Sequence, residues 1–338
     1  MLTDEEFEAI RTRTASLWPE LRGARLFITG GTGFFGRWLL SLFARVNDDF
    51  GGQAQAVVLT RDAGRARHRL GALADHDTIA LHEGSAETFT NPPGKFDYVL
   101  HLAGEPHGPR YSTNPKDMAT DMIAGTRRTL QFSAAARPKG FLYVSSGAVY
   151  GPQPGCDLID EDTPPRPEPS ASRRAYAEAK RVGEEMALAS GVPVIIARPF
   201  AFIGPGLPLE ASFAASQFLA DGLAGRPIRV QHGGMVRSYL YAADLADWLW
   251  TVLLKGQPGR AYNVGSDQPT TLTELAHIVA HHCGVEVNIL DETQSERYIP
   301  STRRVHAELN LSQTVDLSTA VQRTVHWHRE RAHASSGD

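Results

Sequence analysis

A glycine-rich turn that follows an apolar run constrains this chain more than any other feature. The turn spans residues 29–36 and has the sequence TGGTGFFG; residues 26–28 before it suit a strand, and residues 38–43 after it have the apolar spacing of a helix. A strand, a glycine turn and a helix in this order direct backbone N–H groups and a helix N-terminus at a pyrophosphate. Gly30, Gly33 and Gly36 suit a tight turn, a close approach to phosphate and close packing of helix on strand. The sequence therefore predicts a dinucleotide site here.

Strands alternate with helices through the first two hundred residues. After the turn, apolar runs typical of buried parallel strands lie at 54–60, 78–83, 96–102, 140–146 and 192–197. Helical periodicity covers 117–136, and a short helix with a capping box formed by Thr3 and Glu6 is predicted over 3–17. This order predicts an α/β protein with a doubly wound parallel sheet, whose ligand crevice lies at the C-terminal ends of the strands.

The domain organisation follows from changes in pattern along the chain. We expect a helical extension over 1–22, and a dinucleotide-binding domain over 23–199 plus about 237–267. A smaller substrate-binding cap is expected over about 200–236 plus 268–330, with a helix at about 210–224. The proline-rich stretch at 152–170 is predicted to be an irregular loop on the active face.

Composition excludes several classes of function. A formal net charge of −4 without a basic tract gives no footprint for nucleic acid, and no uncharged apolar run approaches the length of a membrane span. Two widely separated cysteines indicate a reducing compartment, so a cytoplasmic location is expected.

His277 and His281 lie four residues apart on a predicted helix, but no third ligand stands at a diagnostic spacing, so no metal is predicted. His107, in the loop after the fourth strand, could touch a substrate.

Tyr176 and Lys180 are four residues apart, which stacks their side chains on one face of a helix. A phenol with a pKa of about 10 is a poor base at neutral pH, but an adjacent ammonium group favours the phenolate. Such a tyrosine can exchange a proton with a carbinol oxygen while hydride moves to or from a nicotinamide. Ser145 and Ser146, at the end of the fifth strand, would place a hydroxyl in the same crevice.

Taken together, these motifs resemble the extended short-chain dehydrogenase/reductase family, within it the nucleotide-sugar epimerases, dehydratases and reductases. The matching segments follow the order of the family from about residue 25 to about 310, and they are 29–36, 101–103, 143–151, Tyr176 with Lys180, 198–205 and 236–246. The resemblance implies a Rossmann-type fold and an enzyme that acts on a nucleoside-diphosphate sugar, a homodimer being common among relatives.

The resemblance also implies roles for individual residues. Ser146, Tyr176 and Lys180 would be catalytic, with Ser146 on the reacting oxygen of the substrate and Lys180 also on the nicotinamide ribose. Arg237 would contact the substrate diphosphate, which suits a planar fork of donors, and Arg297 is a second candidate. The remaining residues implied to bind the cofactor are Gly30, Gly33, Phe34, Phe35, Gly36, Leu102 and Ala103.

Two positions narrow the predicted reaction. Gly147 and Ala148 stand where the 4,6-dehydratases of the family carry an Asp-Glu pair, so a dehydratase is disfavoured. Ala148 also stands where the decarboxylases of the family have a glutamate and where the double epimerases have a cysteine, so both of these reactions are disfavoured. A 4-epimerase or a ketoreductase remains. A reductase of a non-sugar ketone and a non-catalytic dinucleotide sensor are the alternatives.

The choice between NAD and NADP depends on the end of the second strand. An acidic residue there binds the adenine ribose of NAD, whereas an arginine accommodates the phosphate of NADP. Arg61 occupies this position, which favours NADP, although a shift of one residue would place Asp62 there and favour NAD.

Overall fold

The computed structural model describes residues 1–104, 112–293 and 296–335, so His107 lies outside the described residues. The strands of its central sheet are β1 (Arg25–Thr29), β2 (Gln55–Thr60), β3 (Ile79–Glu83), β4 (Tyr98–His101), β5 (Gly140–Val144), β6 (Val194–Pro199) and β11 (Ala261–Val264). Within the described residues this sheet has seven strands in the order β11-β6-β5-β4-β1-β2-β3, and all of its pairings are parallel.

Helices cover the sheet and connect its strands. They are α1 (Asp4–Thr14), α2 (Phe34–Phe50), α3 (Ala63–Leu70), α4 (Pro115–Ala136), α5 (Ala171–Ala189), α6 (Ala214–Leu223), α7 (Ala242–Lys255), α8 (Leu272–Cys283), α9 (Arg303–Leu309) and α10 (Leu317–Ser335). In the part of the chain that the structure describes, short strands outside the sheet form three pairs: β7 (Phe202–Ile203) with β10 (Leu240–Tyr241), β9 (Val236–Arg237) with β12 (Thr270–Thr271), and β8 (Ile228–Val230) with β13 (Val287–Ile289).

The strand order reverses between β1 and β4, because β2 and β3 follow on one side of β1 and β5, β6 and β11 on the other. In doubly wound sheets ligands bind at this switch point, outside the carboxyl ends of the strands. The glycine turn leaves β1 at that place. The fold is therefore the Rossmann-type α/β fold that the sequence predicts, and β11 joins the main sheet beside β6.

The helix expected from about residue 210 was placed four residues too early, since α6 begins at Ala214. The chain instead turns at 208–211, where the backbone N–H of Ala211 donates to the Pro208 carbonyl at 3.4 Å. The proline-rich stretch at 152–170 is irregular, as predicted, and a single bridge joins its Ile159 to Pro300.

The N-terminal helix α1 is bound to the rest of the chain by buried charges. Its predicted capping box is present, with Thr3 and Glu6 exchanging hydrogen bonds. The buried Glu6 carboxylate accepts hydrogen bonds from the Tyr241 hydroxyl at 2.6 Å and from Arg323 at 2.9 Å, and Arg13 pairs with the buried Asp247 at 2.8 Å. Because a buried charge that loses its partner is costly, α1 is integral to the fold. In the described part of the chain no helix is long and apolar enough to cross a membrane.

Candidate active site

The glycine turn passes too close to the neighbouring strand connection to admit a side chain. Gly30 has a φ of +72°, and a Cβ atom there would lie 2.7 Å from the backbone nitrogen of Ala103 and from the carbonyl carbon of Leu102. Gly33 is the N-cap of α2 and leaves the first turn of this helix without a side-chain cap. The first N–H groups of α2 are thereby available to an anion at the helix N-terminus, where the helix dipole also favours negative charge.

A buried polar triad of Thr29, His101 and Thr126 stabilises the glycine turn. The Thr29 hydroxyl shares a hydrogen bond with His101 Nδ1 at 2.8 Å and accepts one from the backbone N–H of Ala103 at 3.4 Å. His101 Nε2 lies 3.1 Å from the hydroxyl of Thr126, which itself donates to a backbone carbonyl. Burial lowers the pKa of His101 to about 3, so this imidazole stays neutral and fixes the ends of β1 and β4 relative to each other.

The side chains of Phe34 and Phe35 take part in packing. The Phe34 ring stacks on the Phe202 ring at a centroid distance of 5.1 Å, and the Phe35 ring meets the same ring edge-on at 4.6 Å. Phe202 lies in β7, after the sixth strand of the sheet. Any contact of these two residues with a pyrophosphate therefore falls to their backbone N–H groups.

Tyr176 and Lys180 lie side by side on α5, as their spacing predicts. The Lys180 Nζ atom is 5.9 Å from the centroid of the Tyr176 ring and donates a hydrogen bond of 2.7 Å to the Val144 carbonyl at the end of β5. Lys180 is only 3% exposed. Burial lowers its pKa to about 8, against the opposing influence of Glu184 one turn further along α5. Lys180 thus lies at the carboxyl end of β5, with Tyr176 beside it.

Ser146 begins the short turn that follows β5. Its hydroxyl accepts a hydrogen bond of 3.1 Å from the backbone N–H of Ala148, which fixes the oxygen while leaving the O–H free to donate. The hydroxyl of the neighbouring Ser145 is buried and has no partner among the described residues. Of the two serines, Ser146 is half-buried, and Ser145 is enclosed.

Tyr298 occupies the space above Gly147. A Cβ atom on Gly147 would collide with the Tyr298 hydroxyl and would lie 2.8 Å from the Phe200 ring, on which Tyr298 stacks at 4.5 Å. Burial raises the pKa of Tyr298 well above 10, so its hydroxyl remains protonated. A glycine is therefore required sterically at position 147 of this chain. The Tyr298 phenol fills the space that an acidic side chain at 147 would need.

Arg61 stands just beyond the end of β2 and is exposed. Its neighbour Asp62 is the N-cap of α3 and accepts a hydrogen bond of 2.9 Å from the backbone N–H of Arg65. Because the Asp62 carboxylate serves the helix, Arg61 is the side chain of this pair that is free of such a structural task.

Arg237 and Arg297 lie on adjacent segments, since Val236 and Arg297 form a parallel bridge. Arg237 is 16% exposed and pairs with Glu296 at 3.0 Å, and its guanidinium lies 5.7 Å from the Tyr298 ring centroid. Arg297 instead turns to the proline-rich loop and donates to the backbone carbonyl of Asp157 at 3.0 Å. The two predicted phosphate ligands thus lie on neighbouring segments and have separate partners.

Sequence reasoning missed three residues of this site, namely Arg173, Glu296 and Tyr298. Arg173 precedes Tyr176 by three positions, a helical spacing that could have indicated it, and it lies 3.8 Å from Glu296. Glu296 and Tyr298 carry no local signal, because only the tertiary fold brings residues this far along the chain beside Gly147 and Arg237. Among the described residues, no group of three or more histidine, cysteine or acidic side chains could hold a metal, the segment of His277 and His281 included.

These features define a class of protein: a Rossmann-type α/β protein whose glycine turn and uncapped helix fit a dinucleotide pyrophosphate, with a tyrosine–lysine pair at the same edge of the sheet. The chain belongs to the NAD dependent epimerase/dehydratase family, whose model matches residues 26–265. It is an enzyme of this nucleotide-sugar family, and the family resemblance seen in the sequence is confirmed.

Individual relatives carry several different activities. The chain is 30% identical over 299 residues to GDP-6-deoxy-D-mannose reductase of Pseudomonas aeruginosa. This alignment covers 85% of this chain and 90% of the relative. It is 28% identical over 323 residues to UDP-glucuronic acid decarboxylase 1 of Xenopus tropicalis, covering 90% and 72%. The fold is similar to the structure of the dTDP-glucose 4,6-dehydratase DesIV from Streptomyces venezuelae with NAD and TYD bound, with a TM-score of 0.80, 22% identity and coverage of 92% and 98%.

Proposed function

We propose that this enzyme interconverts a carbinol and a ketone on the sugar ring of a nucleoside-diphosphate sugar, at carbon 4, as an epimerase or a ketoreductase. The observation that carries the proposal is the placement of Tyr176 beside the buried Lys180, at the sheet edge from which the glycine turn leaves β1. When bound, the nicotinamide supplies or accepts the hydride.

Each residue of the proposed trio has a distinct task. Tyr176 exchanges the proton of the reacting oxygen, and the Lys180 ammonium nearby favours its phenolate form. The Ser146 hydroxyl donates a hydrogen bond to the same oxygen, where negative charge grows as hydride moves. The hydrogen bond to the Val144 carbonyl fixes the Lys180 ammonium, which would also hold the ribose of the nicotinamide.

The cofactor is held by backbone and small residues. Gly30, Gly33 and Gly36 with the N–H groups of Phe34 and Phe35 would bind the pyrophosphate, and Leu102 and Ala103 would line its other side. We favour NADP over NAD, since Arg61 is exposed at the end of β2 while Asp62 caps α3. NAD is bound in the similar DesIV structure, so the preference is a specific point to test.

The substrate is inferred from Arg237 and from the relatives, which act on GDP- and UDP-linked sugars. Arg237, on β9, presents a guanidinium suited to diphosphate oxygens, and Arg297 is the second candidate. The absence of an acidic pair at Gly147 and Ala148, with the Tyr298 phenol in its space, disfavours a dehydratase. We further propose that residues of about 200–236 and 268–330 form the substrate cap, and that the enzyme is a cytoplasmic homodimer.

One observation favours a second candidate, the NADPH-dependent reduction of a non-sugar ketone. Arg237 is already paired with Glu296, so its charge has an internal partner. The test is to incubate the enzyme with NAD, NADP and their reduced forms and a panel of UDP-, dTDP- and GDP-sugars, and to follow products by NMR. Conversion of a nucleotide sugar that Arg237→Ala weakens supports the proposal, whereas reduction of simple ketones that is indifferent to Arg237→Ala supports the alternative.

A further inference from the structure

The arginines of the proposed diphosphate site are paired with acidic residues of the chain itself. Glu296 lies 3.0 Å from Arg237 and 3.8 Å from Arg173, and Asp157 lies 3.8 Å from Arg297. Three guanidinium groups therefore face two carboxylates at the place where a diphosphate would bring two or more negative charges of its own.

The two carboxylates differ in how strongly their ion pairs are shielded from solvent. Asp157 is 96% exposed, so its pairing is screened by solvent and contributes little. Glu296 is 28% exposed and its partner Arg237 is 16% exposed, so this contact is partly shielded from water. Glu296 is therefore the acidic residue whose charge would oppose the binding of a diphosphate.

Arg237 is also oriented by its surroundings. One of its terminal nitrogens donates to the Val236 carbonyl at 2.9 Å, which leaves the other to meet Glu296. The Tyr298 ring lies against the guanidinium. An incoming phosphate oxygen competes for the nitrogen that Glu296 now contacts, and a carboxylate left in place would repel it.

We propose that Glu296 is an internal counter-anion that occupies the phosphate-binding arginine and is displaced by the substrate diphosphate. This inference rests on the proposed function, because it requires a diphosphate ligand. Glu296 acts through Arg237 as a positioning residue: it lowers the affinity for every diphosphate by the same exchange, so a ligand needs further contacts in the crevice to bind tightly.

The experiment measures the dissociation constants of UDP, dTDP and GDP by calorimetry with the full chain. Glu296→Gln removes the charge and keeps the shape, and we expect it to tighten binding of the preferred nucleotide about fivefold, the scale of a partly exposed ion pair. Glu292→Gln makes the same change in net charge at an exposed residue of the same segment, and its dissociation constant should equal that of the wild type.

A double-mutant cycle with Arg237→Ala assigns the effect to the pair. Most of the gain from Glu296→Gln should disappear in the Arg237→Ala background, because only the more distant and more exposed Arg173, at 3.8 Å, is then left for Glu296 to release. If the wild type binds a nucleotide and Glu296→Gln binds it equally or more weakly, the role of Glu296 as a counter-anion is contradicted and the proposed function is unaffected. Failure of all three nucleotides to bind to wild type and variant alike overturns both.

Discussion

The turn that would hold the cofactor and the arginines that would hold the substrate are built on different principles. At the turn, backbone meets backbone: Gly30 lies against the connection of Leu102 and Ala103, and the triad of Thr29, His101 and Thr126 fixes it with neutral groups. At the substrate end, charged side chains meet each other, and Arg237 is paired with Glu296. The first region tolerates no change of shape, whereas the second can exchange one partner for another.

The largest effect is expected from Gly30→Ala, which tests the rigidity of the turn. The new Cβ would meet backbone atoms at 2.7 Å, in a conformation with φ of +72° that alanine disfavours. We expect the free energy of unfolding to fall by about 4 kcal/mol in a denaturant titration, from left-handed strain and overpacking together. Gly23→Ala is the matched control, since Gly23 has a φ of +64° and open space around it. It should cost about 1 kcal/mol, and equal losses would show that the close approach is not rigid.

Tyr176→Phe is expected to have the next largest effect and tests the chemistry that lies between the two regions. Removal of the hydroxyl should lower kcat at least about a hundredfold, the usual scale for losing general acid–base help. Dinucleotide binding, measured by fluorescence quenching, should persist. Tyr98→Phe at the opposite end of β4 should leave kcat unchanged. A Tyr176→Phe enzyme of normal turnover would refute the assignment.

Lys180→Met sharpens the comparison by measuring how much the buried Lys180 ammonium destabilises the fold. The pKa of Lys180 is lowered from 10.5 to about 8, so above pH 8 the unfolded chain holds more protons than the native state. The stability of the wild type should therefore rise between about pH 8 and pH 10.5.

At pH 7 we expect Lys180→Met to be more stable than the wild type by about 2 kcal/mol, with activity lost, and this difference should shrink as the pH rises past 8. Denaturant titrations across this range measure it. Lys95→Met, at an exposed lysine, should give a difference that does not change with pH. A difference for Lys180→Met that is equally constant would contradict the burial of its charge.

The smallest effect is expected from Arg237→Ala in the exchangeable region. Loss of one charged hydrogen-bonding group to phosphate should raise the KM for the nucleotide sugar about tenfold and leave kcat within about twofold. Initial rates at varied substrate concentration separate the two constants. Arg229→Ala, at an exposed arginine of β8, is the control. An effect on kcat alone would place Arg237 at the reacting centre and erase the distinction between the regions.

The same contrast explains what the sequence could predict. The order of strands, the glycine turn and the Tyr176–Lys180 face rest on local spacing, and the structure confirms them because backbone geometry follows spacing directly. Glu296 and Tyr298 escaped prediction, since their places beside Arg237 and Gly147 are set by long-range packing. The start of α6 was misplaced because the turn at 208–211 extends past the predicted start at residue 210.

The most direct test of hydride transfer to a sugar carbon is a single-turnover reaction. The enzyme would be loaded with reduced dinucleotide that carries deuterium at the transferred position, and mixed with a 4-keto nucleotide sugar. Mass spectrometry should then find deuterium on the sugar ring in the wild type and almost none with Tyr176→Phe in the same time. A sugar that stays unlabelled in the wild type, while the dinucleotide is demonstrably bound, would contradict the proposed function.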